Sequence, residues 1–194
     1  MSPARARTSQ GEIVAAGREL LEAGGLDAVT MLAVAERVGV RAPSLYKRFS
    51  NRDELIAAIG GAVLDDLRAS LAPHRGLDPV EGLRALAMAF RAFALAYPRS
   101  YELVFMRLPD DSRPDPELTA RTAAPLLEHA ERLVGPERAL EAARLVTAFA
   151  TGFVSMELSG TFRLGGDVDE AYRYGVDVLV DALARRHEAE RRPQ

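Results

Sequence analysis

Hydrophobic residues recur three and four positions apart along most of this chain, which is the spacing of an amphipathic helix. The alternation of apolar and polar residues that is typical of strands is scarce. Most of the eleven prolines fall between residues 73 and 136, where they divide the chain into pieces of helical length. The pattern therefore predicts an all-α protein with about nine helices in total.

The first two predicted helices have recognisable ends. Ser9 and Glu12 have the spacing of a capping box, which predicts that the first helix starts near Ser9. The glycine pair at residues 24–25 predicts its end, because glycine readily adopts the left-handed conformation that closes a helix. Thr30 is a typical N-cap for a second, short helix, which we expect to stop at Gly39.

The third and fourth helices follow directly. Pro43 suits the first turn of a third helix, and Leu45 and Phe49, four residues apart, are expected to face the core together. A polar pair at residues 50–51 caps a long fourth helix, whose hydrophobic stripe continues to Pro73. Further helices are predicted over residues 79–97, 99–108, 117–134, 137–163 and 168–188.

Two of the longer predicted helices have unusual features. Gly60 and Gly61 lie inside the fourth helix, where each costs roughly 1 kcal/mol relative to alanine, so we expect a packing or hinge role for the pair. The helix over residues 137–163 has no charged residue from Leu145 to Val154. That stretch predicts a helix buried on nearly all sides.

The composition excludes several classes of site. The 194 residues include no cysteine, which excludes disulfides, cysteine zinc sites, iron–sulfur clusters and thiol nucleophiles. His74, His129 and His187 do not have the spacing of metal ligands, so we predict neither a metal nor a cofactor. No stretch approaches 18 apolar residues without a charge, and no signal-peptide pattern is present. We therefore expect a cytoplasmic protein that does not contact a membrane.

The charge is unevenly distributed. The net charge of −3 combines a net charge of +3 over residues 1–52, from eight basic and five acidic groups, with −6 over the remaining residues. Such an asymmetry is typical of a protein with one end that binds a polyanion. Chance variation in an arginine-rich sequence gives the same arithmetic, so the charge alone leaves both explanations open.

The segment from Thr30 to Phe49 has the form of a helix-turn-helix. Ala35 is small enough to let a second helix approach, and Gly39, four residues later, supplies the backbone conformation that the turn requires. Lys47, in the second of the two helices, is the only lysine in the chain. Helix–glycine–helix segments occur in many α-domains, so the spacing alone does not establish DNA binding.

The residues around this segment resemble the TetR family of transcriptional regulators. The resemblance is carried by residues 24–30, by Gly39-Val40, and by the run from Leu45 to Leu55, in which Tyr46, Phe49 and the basic–acidic–leucine sequence stand at the family's spacing. It covers residues 9–71 well and the remainder more loosely. The resemblance implies a three-helix DNA-binding domain over residues 1–52 and a helical-bundle domain for ligand binding and dimerisation over residues 53–194.

The resemblance also implies roles for individual residues. It implies contacts with DNA phosphates for Thr30, Tyr46, Arg48 and Arg52. Base recognition would fall to Arg41, Pro43, Ser44 and Lys47, since the N-terminal part of a recognition helix enters the major groove. Arg5 and Arg7 are expected to form a tail rather than an arm in the minor groove.

For the second domain, the resemblance implies a homodimer and a small-molecule effector. The last two long helices would form a four-helix bundle with a second copy, which would present two recognition helices to a pseudo-palindromic operator. An apolar or amphipathic effector would bind among aromatic residues and release the repressor from double-stranded DNA. The candidate lining residues are Phe90, Phe93, Tyr97, Tyr101, Phe105, Thr147, Thr151 and Met156.

Two other classes of protein compete with a regulator as interpretations of this sequence. An enzyme is disfavoured because the nearest acidic pair, Asp110-Asp111, lies in a predicted loop with no histidine or nucleophile to complete a catalytic site. An all-α ligand-binding or scaffold protein without DNA-binding activity remains the alternative. Substitution of Tyr46 or Lys47 distinguishes it from a regulator, because neither side chain matters if DNA is not the target.

Overall fold

The computed structural model describes residues 8–105 and 108–191, and within these ranges the chain forms nine α-helices and no strand. The prediction of an all-α fold is confirmed. Arg5 and Arg7 lie outside the described residues. The helices are α1 (Gln10–Gly24), α2 (Met31–Arg37), α3 (Ala42–Leu45), α4 (Arg52–Leu71), α5 (Pro79–Ala96), α6 (Pro98–Phe105), α7 (Pro116–Val134), α8 (Ala139–Leu158) and α9 (Val168–Arg191).

The chain packs into two compact units. The first contains the chain up to Asp65 together with residues 97–119, and the second contains residues 66–96 and 120 onward. The predicted boundary after Arg52 therefore differs from the division by packing. Helix α4 continues without interruption past the predicted boundary, and α6 belongs to the first unit although α5 and α7 flank it in sequence.

The predicted caps of the first unit form as expected. The Ser9 hydroxyl accepts a hydrogen bond from the Glu12 backbone N–H, and the Glu12 carboxylate accepts one from the Ser9 backbone N–H. Hydrogen bonds from the Ser9 backbone and hydroxyl lower the pKa of the Glu12 carboxyl. The Thr30 hydroxyl caps α2 by accepting from the Ala33 N–H at 3.1 Å.

The turn between α2 and α3 depends on Gly39. Its φ of +69° lies in the left-handed region, where a side chain is disfavoured. This conformation lets the Val40 N–H reach back to the Ala35 carbonyl and the Gly39 N–H reach the Glu36 carbonyl, which is the Schellman pattern of helix termination. The predicted end of the second helix is thus confirmed.

Helix α3 has α-helical geometry only from Ala42 to Leu45. After Leu45 the α-helical pattern becomes mixed, because the Leu45 carbonyl accepts hydrogen bonds both from the Arg48 N–H, three residues on, at 2.8 Å and from the Phe49 N–H, four residues on, at 3.0 Å. Leu45 and Phe49 are 0% and 1% exposed, as the sequence predicted. These two side chains anchor the short helix to the core.

The core of the first unit joins α1, α2, α3, the first part of α4, and residues from the α6 region. Gly17 permits close contact of α1 with α4, since a Cβ at this position would lie 2.6 Å from Ile59 Cδ1. Leu103 and Leu108 extend the same cluster, at 2% and 6% exposure. This packing places α6 with the helix-turn-helix.

Polar contacts hold residues 97–119 within the first unit. The Glu22 carboxylate of α1 accepts hydrogen bonds from the backbone N–H groups of Arg99 and Ser100, in the first turn of α6, at 3.3 and 2.8 Å. The Ser112 hydroxyl donates to the Asp53 carboxylate of α4 at 2.8 Å. Helices α1 and α4 thus both bind this segment.

In the second unit, helix α7 holds the connection between α4 and α5. Glu128 forms an ion pair with Arg75, the His129 Nε2 atom lies 2.9 Å from the His74 carbonyl oxygen, and Arg132 donates to the Leu77 carbonyl at 3.0 Å. The His129 ring is buried against Gly82 of α5, where an added Cβ would lie 2.2 Å from the ring. All three contacts come from one face of α7.

Two predictions for the helix over residues 137–163 were wrong. The α-helix ends at Leu158, because the backbone turns at Gly160, whose φ is +67°. Burial on nearly all sides is not observed in the single chain, since Leu145 and Met156 are 48% and 44% exposed. Charge-free sequence indicates an apolar surface, but it does not distinguish burial within a chain from an uncovered face.

By length and composition, α8 is the one helix of the described chain that is apolar enough to cross a membrane. Its inner face carries buried alanine and valine residues that pack within the second unit. Core helices of globular proteins meet the same criterion, so this observation is weak support for a membrane span.

The adjacent glycines of α4 provide a matched pair of substitutions. A Cβ at Gly60 would lie 2.7 Å from Pro114 Cγ, whereas a Cβ at Gly61 would make an ordinary contact, 3.7 Å from Leu118 Cδ2. Each Gly→Ala change improves helix propensity by about 1 kcal/mol. At Gly60, overpacking costs about 1–3 kcal/mol and outweighs that gain.

We therefore expect Gly61→Ala to raise the melting temperature and Gly60→Ala to lower it, as measured by circular dichroism. Equal stabilisation by both variants would contradict the close packing of Pro114 on Gly60.

Candidate functional site

The N-terminus of α2 places a predicted phosphate contact, Thr30, at the protein surface. Thr30 is exposed, its hydroxyl caps the helix, and the positive end of the helix dipole lies at the same point. Leu32, in the first turn, is 61% exposed, and the sequence analysis did not select it. The signal that was available is the position of this leucine two residues before the buried Val34, which puts the two side chains on opposite sides of the helix.

Helix α3 and the turn after it present the other predicted DNA-binding residues to solvent. Tyr46 is 53% exposed, although its neighbour Leu45 is fully buried. The exposed residues of this α3 surface are Arg41, Pro43, Ser44, Tyr46, Lys47 and Arg48. The surface therefore contains all the predicted base-recognition residues and two of the predicted phosphate contacts.

The α3 surface carries uncompensated positive charge. The side chains of Arg41, Lys47 and Arg48 form no ion pair with any residue in the described ranges. Arg37 of α2 differs, because it pairs with Glu19 of α1 at 3.3 Å. Three unpaired cations on one short segment favour contact with a polyanion.

Arg52 is placed differently from the other predicted phosphate contacts. Its Nε and one terminal nitrogen donate hydrogen bonds to the carbonyl oxygens of Val29 and Leu26, both at 2.6 Å. The side chain is partly buried, at the start of α4. A contact between Arg52 and phosphate stays a prediction, and the structure adds an internal role that the sequence did not indicate.

The second unit contains a small apolar cavity of about 60 Å³. Among the described residues that line the cavity, Thr147 alone has a side-chain hydroxyl, and that hydroxyl already donates to the Ala143 carbonyl at 2.9 Å. No charged side chain lines the cavity. Its lining residues are Leu71, Leu86, Ala87, Phe90, Leu126, Val146, Thr147 and Ala150.

Phe90 and Thr147 are the two predicted ligand-binding residues that line this cavity. Phe93 is buried, Thr151 is partly buried and Met156 is exposed, all in the second unit. For these three residues, contact with a ligand stays a prediction. The aliphatic lining residues were not selected from the sequence, because a helical stripe of leucine and alanine looks the same in a filled core and around a cavity.

The three tyrosine and phenylalanine candidates of α6 and its flank belong to the first unit. Tyr97 is 44% exposed, with the Arg18 guanidinium 5.0 Å from its ring centre. Tyr101 is buried, and its ring lies 4.9 Å from that of the exposed Phe105. Ligand contact by these three residues likewise stays a prediction.

Comparison with known proteins identifies the family. The family model of bacterial regulatory proteins of the TetR type matches residues 13–59, and the model of a tetracycline-repressor-like C-terminal domain matches residues 83–179. An uncharacterized HTH-type transcriptional regulator of Mycobacterium tuberculosis is 31% identical over 93% of this chain and 84% of its own length. The chain belongs to the TetR family of transcriptional regulators.

Other similar proteins are tetracycline repressors. The class G repressor of Vibrio anguillarum is 34% identical over 91 residues, which are 47% of this chain and 43% of the repressor. The alignment thus spans less than half of that relative. The structure of a TetR variant from Acinetobacter baumannii in complex with minocycline is 26% identical, with a TM-score of 0.70, and covers 93% of this chain and 98% of the other.

Members of the TetR family are ligand-responsive DNA-binding repressors, and this chain is a DNA-binding transcriptional regulator with a helix-turn-helix. The predicted family is confirmed. The proteins matched are regulators rather than enzymes. Within the described ranges, no three His, Asp or Glu side chains lie close enough together to hold a metal ion.

An ionic cluster in the second unit, centred on the buried Arg91, was not predicted from the sequence. Arg91 of α5 donates hydrogen bonds to both carboxylate oxygens of Glu157, at 2.7 and 2.6 Å, and to Asp169 at 2.6 Å. The Arg91 guanidinium also lies over the ring of Tyr172. The hydrogen bonds to Glu157 raise the pKa of Arg91, and Arg91 lowers the pKa of Asp169. The signal was a single arginine in the otherwise apolar run of residues 87–97.

This cluster ties the end of α8 and the start of α9 to α5. The Tyr172 hydroxyl adds a hydrogen bond to the Ala87 carbonyl at 2.8 Å. The outer faces of α8 and α9 remain apolar and exposed in the single chain. They carry Leu145, Ala148, Gly152 and Met156 on α8 and Ala171, Tyr174, Val178 and Ala182 on α9.

Proposed function

We propose that this TetR-family protein is a homodimeric repressor that binds a pseudo-palindromic operator and is released by a small, uncharged, mainly apolar molecule. The observation that carries the proposal is the α3 surface, where the exposed Tyr46 is accompanied by three exposed cations that form no ion pair within the described residues. In the same unit, Thr30 caps the exposed N-terminus of α2. The surface supplies a positive charge for phosphates and side chains for base edges.

In this proposal, each part of the surface has a separate task. Thr30 binds a phosphate through its hydroxyl and the free amides of the first turn of α2, and Tyr46 and Arg48 bind phosphates beside it. Arg41 and Lys47 recognise bases, with guanine as the preferred partner of a cationic side chain. The phosphate contacts orient the protein, and the base contacts provide the specificity.

The exposed faces of α8 and α9 support a dimer. Val178 of α9 and Leu145 of α8 are 46% and 48% exposed, and small residues beside them, such as Gly152, permit close helix–helix contact. Apolar faces of this extent on two neighbouring helices are typical of protein–protein interfaces. A two-fold dimer presents two α3 surfaces to two operator half-sites.

The chemistry of the cavity supports an uncharged effector. With no charged side chain in its lining and its one hydroxyl already bonded, the cavity offers apolar contact and little else. A charged ligand would lose hydration there without compensation. The cavity, at about 60 Å³, is well below the roughly 300–1,000 Å³ of most ligand pockets, so we propose a small effector.

Release follows from differential binding. The second unit would have one arrangement that allows operator binding and another that holds the two recognition helices at the wrong separation. An effector that binds the second arrangement more tightly lowers the affinity for the operator, and the ratio of the effector's affinities for the two arrangements sets how far it falls. Helix α4 is the candidate lever, because Leu71 lines the cavity and Arg52, at its other end, joins the helix-turn-helix.

Adjacent residues of the α3 surface test the DNA-binding assignment. Arg48→Ala should weaken binding to all sequences and reduce the slope of log K against log salt by about 0.9, which corresponds to one phosphate contact. Lys47→Ala should instead reduce discrimination against a substituted base pair by about 1–3 kcal/mol.

Fluorescence anisotropy on the upstream DNA of the protein's own gene, at several salt concentrations, measures both effects. Absence of saturable binding by the wild-type protein at moderate salt would refute the repressor proposal.

The dimer is tested by a charge on its proposed face. Val178→Asp should convert the dimer to a monomer and weaken operator binding, because a carboxylate would be buried against the second copy. Leu95→Asp on α5 is a matched control, since Leu95 is 40% exposed but lies outside the α8–α9 faces. Size-exclusion chromatography with light scattering reports the mass, and a dimeric Val178→Asp variant would contradict this interface.

The cavity is tested with phenol as a probe, because phenol combines an apolar ring with one hydroxyl. Phenol should raise the melting temperature of the wild-type protein, since a ligand that binds only the folded state stabilises it. Ala150→Leu should abolish the shift by filling the cavity that Ala150 lines. The exposed Ala92→Leu is the control, and an equal phenol shift in Ala150→Leu would place the binding elsewhere.

A further inference from the structure

Arg52 makes two hydrogen bonds to the segment that leads into α2. Its Nε donates to the Val29 carbonyl and its terminal nitrogen to the Leu26 carbonyl, each at 2.6 Å, across 23 and 26 residues of sequence. Thr30, the residue after Val29, caps α2. Arg52 therefore joins the first residue of α4 to the backbone immediately before the proposed phosphate contact.

The connecting segment is built to accept these bonds. Residues 26–28 form a 3₁₀ turn, in which the Val29 N–H also bonds the Leu26 carbonyl at 3.1 Å. The Val29 side chain is 1% exposed, which fixes the segment to the core. The carbonyls of Leu26 and Val29 then lie close enough together for one guanidinium to bridge them.

The geometry requires arginine in particular. The Nε and one terminal nitrogen lie on one edge of a rigid planar group and donate in parallel, so they can satisfy two acceptors at once. The ammonium group of lysine is a point charge on a flexible chain and does not reproduce this bridge. Within the described residues no carboxylate pairs with Arg52, so its side-chain interactions are those with the two carbonyls.

We propose that Arg52 is a positioning residue for DNA binding, which holds Thr30 and the N-terminus of α2 against the start of α4 instead of binding a phosphate itself. This assignment rests on the proposed phosphate contact of Thr30, and it replaces the direct phosphate role that the family resemblance implied. It also makes Arg52 the joint through which a movement of α4 displaces the N-terminus of α2.

Arg52→Lys and Arg52→Met distinguish positioning from phosphate contact. Both variants should weaken operator binding by about tenfold or more, because neither side chain bridges the two carbonyls. The salt slope should remain that of the wild-type protein, since no phosphate contact is lost. Arg48→Ala is the control in the same assay, with an expected reduction in slope of about 0.9.

The opposite pattern would overturn the proposal. Wild-type affinity in Arg52→Lys, together with a slope reduced by about 0.9 in Arg52→Met, would show a direct phosphate contact. If Arg52→Met fails to fold by circular dichroism, Arg52→Lys alone decides between the two roles, because lysine retains the charge.

A second measurement does not require DNA. In the free wild-type protein, the Nε–H of Arg52 should exchange slowly with solvent in ¹⁵N nuclear magnetic resonance spectra, because it is bonded to the Val29 carbonyl. The Nε–H of the exposed Arg48 serves as the rapidly exchanging reference. Rapid exchange at Arg52 would refute the bridge even if the protein binds its operator, and slow exchange would support it even if the repressor proposal failed.

Discussion

The DNA-facing surface depends on the burial of Leu45 and Phe49. Helix α3 has only four α-helical residues, and a helix of this length is not stable in water by itself. Its orientation therefore comes from the two side chains that are inserted into the core, at 0% and 1% exposure. Because the buried and exposed residues alternate within a single turn, fixing Leu45 also fixes the direction in which Tyr46 and Lys47 point.

Three further constraints complete this arrangement. The left-handed backbone of Gly39 sets the turn that brings α3 across α2, and Gly17 lets α1 and α4 pack closely beneath them. Arg52 then bridges the start of α4 to the backbone that precedes α2. Arg41, Lys47 and Arg48 can remain without an ion pair inside the described ranges because apolar packing and backbone hydrogen bonds hold α3 in place. That division leaves the positive charge available to DNA.

In the second unit, charge has the opposite use. Arg91 pairs with both Glu157 and Asp169 and thereby joins α5 to the end of α8 and the start of α9, while none of the described residues that line the cavity is charged. The outer faces of α8 and α9 are apolar although they lie on the surface of the single chain. The net charge of +3 in residues 1–52 and of −6 elsewhere therefore corresponds to two chemically different surfaces.

The sequence by itself determined the features that depend on local backbone chemistry. The caps at Ser9 and Thr30, the stop at Gly39 and the inward pair Leu45 and Phe49 all follow from interactions within a few residues. The family signature lies in the same stretch, so the DNA-binding role was accessible from sequence.

Tertiary structure alone decided the features that depend on distant partners. The inward turn of Arg52 depends on carbonyls more than twenty residues away. The different surroundings of Gly60 and Gly61 depend on Pro114 and Leu118. The uncovered face of α8 cannot be told from a buried face by its sequence. Apolar composition shows that burial of a surface is favourable, but it does not show which neighbouring helix covers that surface.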